Sequence, residues 1–436
     1  MRDILVNNFL QISKIPRGSG NEKGISDYFV QIAKKHGLYY YQDENYNVLI
    51  KKPGSIKGEP IAFQAHLDMV CAKKEDSKHD FTKDGIDVII DGNKVYAKDT
   101  TLGADQGVGL SLMLALIEDK DIKLPDLEFL FTVEEETTYK GAITFPYSKV
   151  TSKKMINLDY CLDDAIVIGS AGDEVNEYIY EGTIEENELP SYKITIDGIP
   201  GGNSGEKIEE SANNAITIMA KMLEDKGIYI SSINGGTYEN DIATSCEAII
   251  KSAQDINELF SKYSCKIEET EYKKSFSKDD SNKIIKGILK LKNGYITKTS
   301  SGNTGIIKTK DNLITITHLY RSSEKEELEN FSKNKEIGNN YKTNMLYKDS
   351  IWKLSDDSKL FQKYKETYHD LFNEKPKEIT AQGGLEIASI QKRIPGLDII
   401  SLGANMENIH TVEEITYIDS WEKIYSILLE IISRIL

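Results

Sequence analysis

The residues of this chain that could carry chemistry are acids and imidazoles placed at the ends of apolar, strand-like runs. They occur in five stretches, at 63–70, 99–109, 131–136, 156–159 and 408–411. Because the carboxyl ends of parallel strands converge on one edge of an α/β sheet, we expect these side chains to lie close together. Two histidines with several carboxylates suit a pair of zinc ions, with one carboxylate bridging and a position left for water.

The stretch 99–109, DTTLGADQGVG, presents the carboxylate of Asp105. An extended run at 88–97 leads into it, and the apolar segment at 108–117 that follows is typical of a buried helix. A carboxylate in apolar surroundings is costly unless a charge compensates it. Taken alone, this aspartate is better explained as a turn or helix-cap residue, and only the other four stretches favour metal binding.

Two local pairs strengthen the metal-site interpretation. In His66-x-Asp68, a carboxylate two residues from an imidazole can fix the tautomer and orientation of a metal-bound ring. Three glutamates at 134–136 would ordinarily form a solvated turn, but they follow FLFTV directly and cannot all leave the sheet edge. Adjacent carboxylates allow one to bind a metal while its neighbour takes a proton from water.

The order of these motifs resembles that of a known enzyme family. HLDMV at 66–70, TLGADQGVG at 101–109, INGGTYEN at 233–240 and GLE at 384–386 carry the resemblance, together with ISKIPRGSG at 12–20 and the RSS run at 321–323. They are similar to the co-catalytic zinc exopeptidases related to aminoacylase and carboxypeptidase G, and most of all to their aminoacyl-histidine (Xaa-His) dipeptidase branch. The similarity covers essentially the whole chain.

The resemblance implies a set of metal ligands and two divalent metal ions, with zinc preferred. The implied ligands are His66, Asp105, Glu136, Asp159 and His410. One ion would be held by His66, Asp105 and Asp159. The other would be held by Asp105, Glu136 and His410, so that Asp105 bridges the two. Of the remaining acids, the resemblance implies that Glu135 is the general base and that Asp68 supports catalysis behind His66.

The resemblance also implies substrate-binding residues, and here the sequence departs from the family pattern. The implied residues are Asn203, Asn240, Arg321, Gln382 and Glu386. The family motif Gly-Gly-His-Ser-Gly has Asn203 in place of a histidine that resembles an oxyanion stabiliser, and Gln382 also stands where the family has a histidine. Basic family positions appear here as Glu209 and Ala212. These changes put substrate choice and rate in doubt, and metal binding much less.

The expected fold is α/β, a zinc-exopeptidase-like catalytic domain with a central mixed sheet. A chain of 436 residues is too long for one typical core. The composition turns polar near 186–190, and the core motifs return only after Pro376. We therefore expect a catalytic domain at 1–186 and 375–436 and an inserted α+β lid at 187–374. The lid could comprise two ferredoxin-like halves, at 191–290 and 291–373.

The function that these features indicate is a metal-dependent hydrolase that cleaves the amide bond of a dipeptide with a water activated by two zinc ions. Two alternatives stay open, which are a deacylase of N-acyl or modified amino acids and a catalytically weakened homologue that binds metal and peptide. The expected partner is a small peptide-like substrate, and a homodimer is one possible assembly.

The composition of the chain indicates where the protein is located and which classes of partner it can bind. The net charge of −16 argues against nucleic acid or an anionic membrane as a partner. No apolar run is long enough to span a bilayer. The four cysteines show no CxxC pairing, which favours reduced thiols and a cytoplasmic location.

Overall fold

The computed structural model describes residues 1–205, 207–333 and 337–434. The chain forms two compact units. The first contains Met1–Gly169, Lys353–Ala381 and Leu385–Leu436, and the second contains Ser170–Trp352 and Gln382–Gly384. Ile435 and Leu436, which the sequence places in the closing helix, lie outside the described residues.

The described chain contains both helices and strands. The helices are α1 (Arg2–Ser13), α2 (Lys23–Lys35), α3 (Ala104–Glu118), α4 (Lys140–Thr144), α5 (Ile208–Ser211), α6 (Ala215–Leu223), α7 (Ile256–Leu259), α8 (Lys278–Lys290), α9 (Lys325–Lys333), α10 (Lys359–Phe372), α11 (Ile387–Arg393) and α12 (Ile418–Arg434). The strands of the first part are β1 (Tyr39–Gln42), β2 (Val48–Lys52), β3 (Ile61–His66), β4 (Val88–Asp91), β5 (Lys94–Ala97), β6 (Leu127–Thr132), β7 (Lys154–Asn157) and β8 (Ala165–Ser170). The strands that follow are β9 (Gly172–Glu181), β10 (Ile184–Glu186), β11 (Ser191–Ile196), β12 (Tyr229–Gly235), β13 (Cys246–Lys251), β14 (Lys266–Thr270), β15 (Lys274–Phe276), β16 (Gly294–Tyr295), β17 (Ser300–Lys310), β18 (Leu313–Ser322), β19 (Lys342–Lys348), β20 (Trp352–Lys353), β21 (Lys377–Ala381), β22 (Asp398–Ser401), β23 (Met406–Glu407) and β24 (Ile415–Tyr417).

A mixed sheet runs through the first unit, in agreement with the predicted fold class. Its strand order is β1-β2-β6-β3-β7-β22-β8, with β21 also paired to β8. Strand β3 is parallel to both β6 and β7, and β22 is parallel to β7. The carboxyl ends of these four strands therefore lie at the same edge of the sheet, whereas β1 and β2 extend it with antiparallel pairing.

The central strands are buried because helices cover the sheet. Every residue of β3 and β6 is buried, as expected for strands covered on both faces. The rings of Phe29 on α2 and Phe131 on β6 stack with centroids 4.1 Å apart. Helix α3 is buried nearly throughout, which confirms the buried helix predicted from the apolar segment at 108–117.

A second, antiparallel sheet organises the second unit. Its order is β14-β11-β13-β12-β17-β18-β9-β19, with β16 paired to β17. The two predicted halves meet in this continuous sheet, where β12 and β17 are joined by the pair Gly235–Ile307. Because β9 pairs with β18 and β19, the second unit begins at Ser170 and not at the polar break near residue 186. Whether this unit is an independently folding inserted lid stays a prediction.

The stability of the second unit should respond to the protonation of one buried histidine. His318 on β18 is fully buried, and its Nδ1 lies 3.1 Å from Thr304 Oγ1. Burial lowers the pKa of His318 to about 3, below its ordinary value of 6.5. At a pH between these two values, His318 is therefore protonated in the unfolded chain and neutral in the folded chain. Between these two pKa values, stability falls by about 1.4 kcal/mol for each unit that the pH drops.

Urea unfolding midpoints between pH 7 and pH 4.5 test this expectation. His318→Gln cannot titrate, so its midpoint should fall less steeply below pH 6.5 than that of the wild type. The matched control is His369→Gln, since His369 is exposed on α10. Identical slopes for all three proteins would show that His318 contributes nothing to the pH dependence.

Candidate metal centre

The five predicted ligands lie at the sheet edge where the parallel strands end. His66 is the last residue of β3, Glu136 follows β6, and Asp159 follows β7. His410 lies in the loop between β23 and β24 with a φ of 65°. Asp105 is in the first turn of α3. The sheet therefore brings together side chains that are up to several hundred residues apart in sequence.

The turn that presents Asp105 has an irregular backbone. Gly103 before it has a φ of 69°, and a Cβ at that position would lie 2.7 Å from Arg17 Nη2, so both conformation and space require glycine. Asp105 itself has a non-helical ψ of 108°, and its peptide bond to Gln106 is cis. The regular part of helix α3 therefore begins after Asp105.

The two oxygens of Asp105 face two different histidines. Asp105 Oδ1 lies 2.9 Å from His66 Nε2, and Asp105 Oδ2 lies 3.4 Å from His410 Nε2. The outer acids continue the arrangement, because Glu136 Oε2 is 3.1 Å from His410 Nε2 and Asp159 Oδ1 is 3.8 Å from His66 Nε2. The potential metal-ligand atoms therefore form a row in which Asp105 lies between the two imidazoles.

The donor set fits divalent metal ions. Potential ligand atoms of His66, Glu135 and Asp159 lie within 4.8 Å of one another, as do those of His66, Asp105 and Glu136. Imidazole nitrogen and carboxylate oxygen are both zinc ligands. Within the part of the chain that the structure describes, Glu136 Oε1 is buried without a hydrogen-bond partner, which leaves it available to a cation.

The charges of the centre also call for a cation. Burial, and then the charge of Asp159, raises the pKa of Glu135 well above its ordinary value. Burial and the charge of Asp105 do the same to the pKa of Asp159. Burial opposes protonation of both imidazoles. Even so, the charges of Asp159 and Glu136 contribute to raising the pKa values of His66 and His410, respectively, well above the ordinary range. Without a metal, bound protons compensate the excess of negative charge on these carboxylates. Divalent cations would neutralise the same excess.

Asp68 holds the neighbouring main chain in place. Its Oδ1 accepts a hydrogen bond from the Glu135 N–H and lies 3.3 Å from His66 Nδ1. Its Oδ2 accepts from the Glu136 N–H and from Ser19 Oγ. Asp68 is fully buried and therefore orients both the imidazole and the glutamate pair.

Three of the predicted substrate residues come together in the second unit. Arg321 is buried and donates from Nη1 to Ser204 Oγ at 2.9 Å, while its Nε lies 3.5 Å from Asp173 Oδ1. Ser204 in turn donates to the main-chain oxygen of Asn240. Asn203 Oδ1 accepts the Gly205 N–H at 2.7 Å, so its side-chain oxygen is already engaged in the turn.

The last two predicted substrate residues fall in different units. Gln382 is half-buried and belongs to the second unit, where the adjacent Gly383 lies next to Gly205. Glu386 belongs to the first unit and is fully buried, and it accepts hydrogen bonds from Thr132 Oγ1 and Gln64 Nε2. Burial raises the pKa of Glu386 to about 7. Its carboxyl group is hydrogen-bonded to side chains of β3 and β6. Its predicted role in substrate binding stays untested.

Two buried charged residues were not singled out from the sequence. Arg17 donates to the main-chain oxygens of Leu67, Asp68 and Gly103. Glu414 accepts hydrogen bonds from the turn that presents Asp105. A signal for Arg17 exists in its position between Pro16 and Gly18, where a helix breaks. Glu414 follows another glutamate in a polar loop and has no local signal.

Comparison with known proteins identifies the family. A profile described as peptidase family M20/M25/M40 matches residues 62–434. The cytosol non-specific dipeptidase of Escherichia coli (strain K12) is 30% identical over an alignment that covers 98% of this chain and 96% of that protein. The chain belongs to the M20/M25/M40 peptidase family.

Solved structures agree with this M20/M25/M40 assignment. The aminoacylhistidine dipeptidase of Vibrio alginolyticus superimposes with a TM-score of 0.73 at 26% identity, covering 98% of this chain and 96% of that chain. A tripeptidase from Staphylococcus aureus shares the fold, with a TM-score of 0.68 at 17% identity and coverage of 100% and 98%. The resemblance read from the motifs is therefore confirmed, and the protein is a hydrolase of the metallopeptidase class. None of its described helices is long and apolar enough to cross a membrane.

Proposed function

We propose that this M20/M25/M40 peptidase cleaves dipeptides with the help of two divalent cations, preferably zinc, bound at the candidate metal centre. The observation that carries the proposal is the position of Asp105, whose two carboxylate oxygens face His66 and His410 separately. A carboxylate placed in this way can bridge two ions. The names of the Escherichia coli and Vibrio alginolyticus relatives support a dipeptide as the substrate.

The proposed ligands divide into two overlapping sets. His66, Asp105 and Asp159 would hold one ion, and Asp105, Glu136 and His410 would hold the other. When bound, the ions would act as Lewis acids toward the scissile carbonyl and favour deprotonation of water. Asp68 would keep the His66 ring in one tautomer through Nδ1, which leaves Nε2 as the ligand atom.

Glu135 is proposed to move the proton. Its N–H is held by Asp68, and its neighbour Glu136 is the acid that reaches His410. Glu135 would accept the proton of the attacking water and transfer it to the leaving amine, which needs no second acid. Burial raises the pKa of Glu135, which makes its carboxylate a stronger base toward the attacking water than an exposed glutamate would be.

Metal analysis followed by a dipeptide screen tests the proposal. Purified protein loaded with Zn²⁺ should bind about two ions per chain, and its hydrolysis of Xaa-His and other dipeptides should disappear on chelation. N-acyl amino acids in the same screen test the deacylase alternative. Metal binding without turnover of any dipeptide or N-acyl substrate would instead indicate a weakened homologue.

The departure at Asn203 favours an altered rate on ordinary dipeptides. In the family pattern a histidine there resembles an oxyanion stabiliser, and an imidazolium forms a stronger hydrogen bond than a neutral amide does. Asn203→His should therefore raise kcat by roughly tenfold and change KM little, because the gain is made in the transition state. Steady-state kinetics on a dipeptide panel measure this. Robust wild-type turnover with no gain would mean that asparagine suits the natural substrate.

A cytoplasmic location is proposed together with this function. The relative from Escherichia coli is named a cytosol dipeptidase, and the composition and cysteine spacing agree with a reducing compartment. The proposed partner is a small peptide, and a homodimer is one arrangement that sedimentation analysis would detect. Sedimentation as a monomer at working concentrations would exclude it.

A further inference from the structure

We propose that Arg17 and Glu414 act together as positioning residues that fix the Asp105 turn between the two metal-binding histidines. The inference rests on the proposed function, because it assumes that the candidate centre binds metal. Both side chains are almost fully buried, at 2% exposure each. Neither belongs to the proposed ligand set or to the proposed proton-transfer machinery.

Glu414 receives an unusual number of main-chain hydrogen bonds. Its carboxylate is held in a bidentate manner, with Oε2 accepting two N–H groups at 2.7 and 2.9 Å and Oε1 accepting two at 2.8 and 3.3 Å. Helix α3 has Gly103 as its N-cap and therefore no side-chain cap of its own. The four donors are the N–H groups of Leu102, Gly103, Ala104 and Asp105.

This arrangement links two ligand-bearing segments directly. Glu414 lies four positions after His410 in the same loop, and its own N–H donates to Thr411. Its carboxylate holds the N–H groups of the turn that carries Asp105, ahead of the regular part of helix α3. The loop of one histidine therefore sets the position of the bridging carboxylate.

Arg17 links the same turn to the other histidine. Its Nη2 donates to the Gly103 oxygen. Its Nη1 donates to the oxygens of Leu67 and Asp68, the two residues that follow His66, at 3.0 and 2.6 Å. The planar guanidinium can bind several carbonyls in a fixed geometry, which an ammonium cannot do.

The charges explain why the two residues occur as a pair. A buried guanidinium or carboxylate is costly unless a partner compensates it. Burial lowers the pKa of Arg17, and the charge of Glu414 opposes that shift. Their hydrogen bonds go to the main chain of segments 67–68 and 102–105, so the pair fixes the ligand-bearing backbone and leaves every ligand atom free.

Glu414→Gln is the variant that tests this role. A glutamine has one acceptor oxygen, and its NH₂ group would face main-chain N–H groups, so at least two of the four donors lose their acceptor. The Asp105 turn should relax, and the affinity for Zn²⁺ should fall about 10–100-fold, as when other outer partners of metal ligands are removed. Glu413→Gln is the matched control, since Glu413 is exposed in the same loop.

The readout is competition of the folded protein with a chromophoric chelator for Zn²⁺, together with the visible absorption spectrum of the Co²⁺-loaded protein. We expect weaker binding and a changed Co²⁺ spectrum for Glu414→Gln, wild-type behaviour for Glu413→Gln, and partial recovery for Glu414→Asp, which keeps the charge. Should Glu414→Gln fail to fold, Glu414→Asp provides the same comparison. Wild-type affinity and spectrum in the folded variants, with only a lower melting temperature, would reduce the pair to a structural role. Absence of metal binding by the wild type would instead overturn the proposed function itself.

Discussion

We expect Glu135→Gln to lower kcat by about 10²–10⁴-fold while the metal content stays at the wild-type level. The carboxylate is the proposed acceptor of the water proton, and an amide of the same shape cannot take it up. The Glu135 main chain is held by Asp68, so the substitution leaves the loop in place. Metal analysis of the purified variant and steady-state kinetics on a dipeptide separate the two effects.

The neighbouring glutamates provide the controls. Glu134 forms an ion pair at 2.9 Å with Lys140, the first residue of α4, so Glu134→Gln should keep both metal and activity. Glu136→Gln should lose metal, because Glu136 is the acid that lies against His410. Loss of metal by Glu135→Gln would contradict the assignment and make Glu135 a ligand beside His66 and Asp159, which their spacing also permits.

The sequence predicts most of what brings the centre together. An imidazole or carboxylate after each buried strand is a local signal, and the parallel pairing of β3, β6 and β7 converts it into proximity. His66, Glu136 and Asp159 all lie at the edge where the sequence predicts them. That these side chains bind metal stays a prediction, although the family assignment agrees with it.

The residues that sequence analysis missed form hydrogen bonds with segments that are far away in the sequence. Glu414 meets the Asp105 turn from 309 positions away, and its hydrogen bonds go to main-chain groups that carry no sequence signature. The same limit applies to Glu386, because its motif does not indicate its hydrogen bonds with Gln64 and Thr132. Periodicity and motif order report which elements form, whereas the main-chain contacts that align them appear only in three dimensions.

The position of the boundary between the two units is also difficult to predict from the sequence, for a different reason. The polar break near residue 186 predicts a change of environment, and β10 does end there. The segment at 165–181 contains both β8, in the mixed sheet, and β9, in the antiparallel sheet. One continuous segment thus supplies strands to two sheets, and composition alone cannot locate the change between them.

The second large effect is expected from Asp105→Asn, which should abolish activity and weaken metal binding by more than the ~10–100-fold that loss of an outer partner costs. Asparagine removes the negative charge between two cations and replaces one of the two oxygens with an NH₂ group that cannot bind metal. At most one of the two sites would keep its oxygen, so about one ion per chain should remain. Zn²⁺ titration and metal analysis measure this directly.

Folding of Asp105→Asn should be preserved, because Glu414 and Arg17 hold the turn through its main chain and not through the Asp105 side chain. The metal-free variant should be less stable than the metal-free wild type, because burial opposes the Asp105 charge but hydrogen bonds from His410 and His66 hold the pKa of Asp105 well below its ordinary value. Asp99→Asn is the matched control, as Asp99 pairs with Lys74 at the start of the same stretch. Retention of two ions by Asp105→Asn would exclude a bridging role for Asp105 and require the two ions to be held by separate ligand sets.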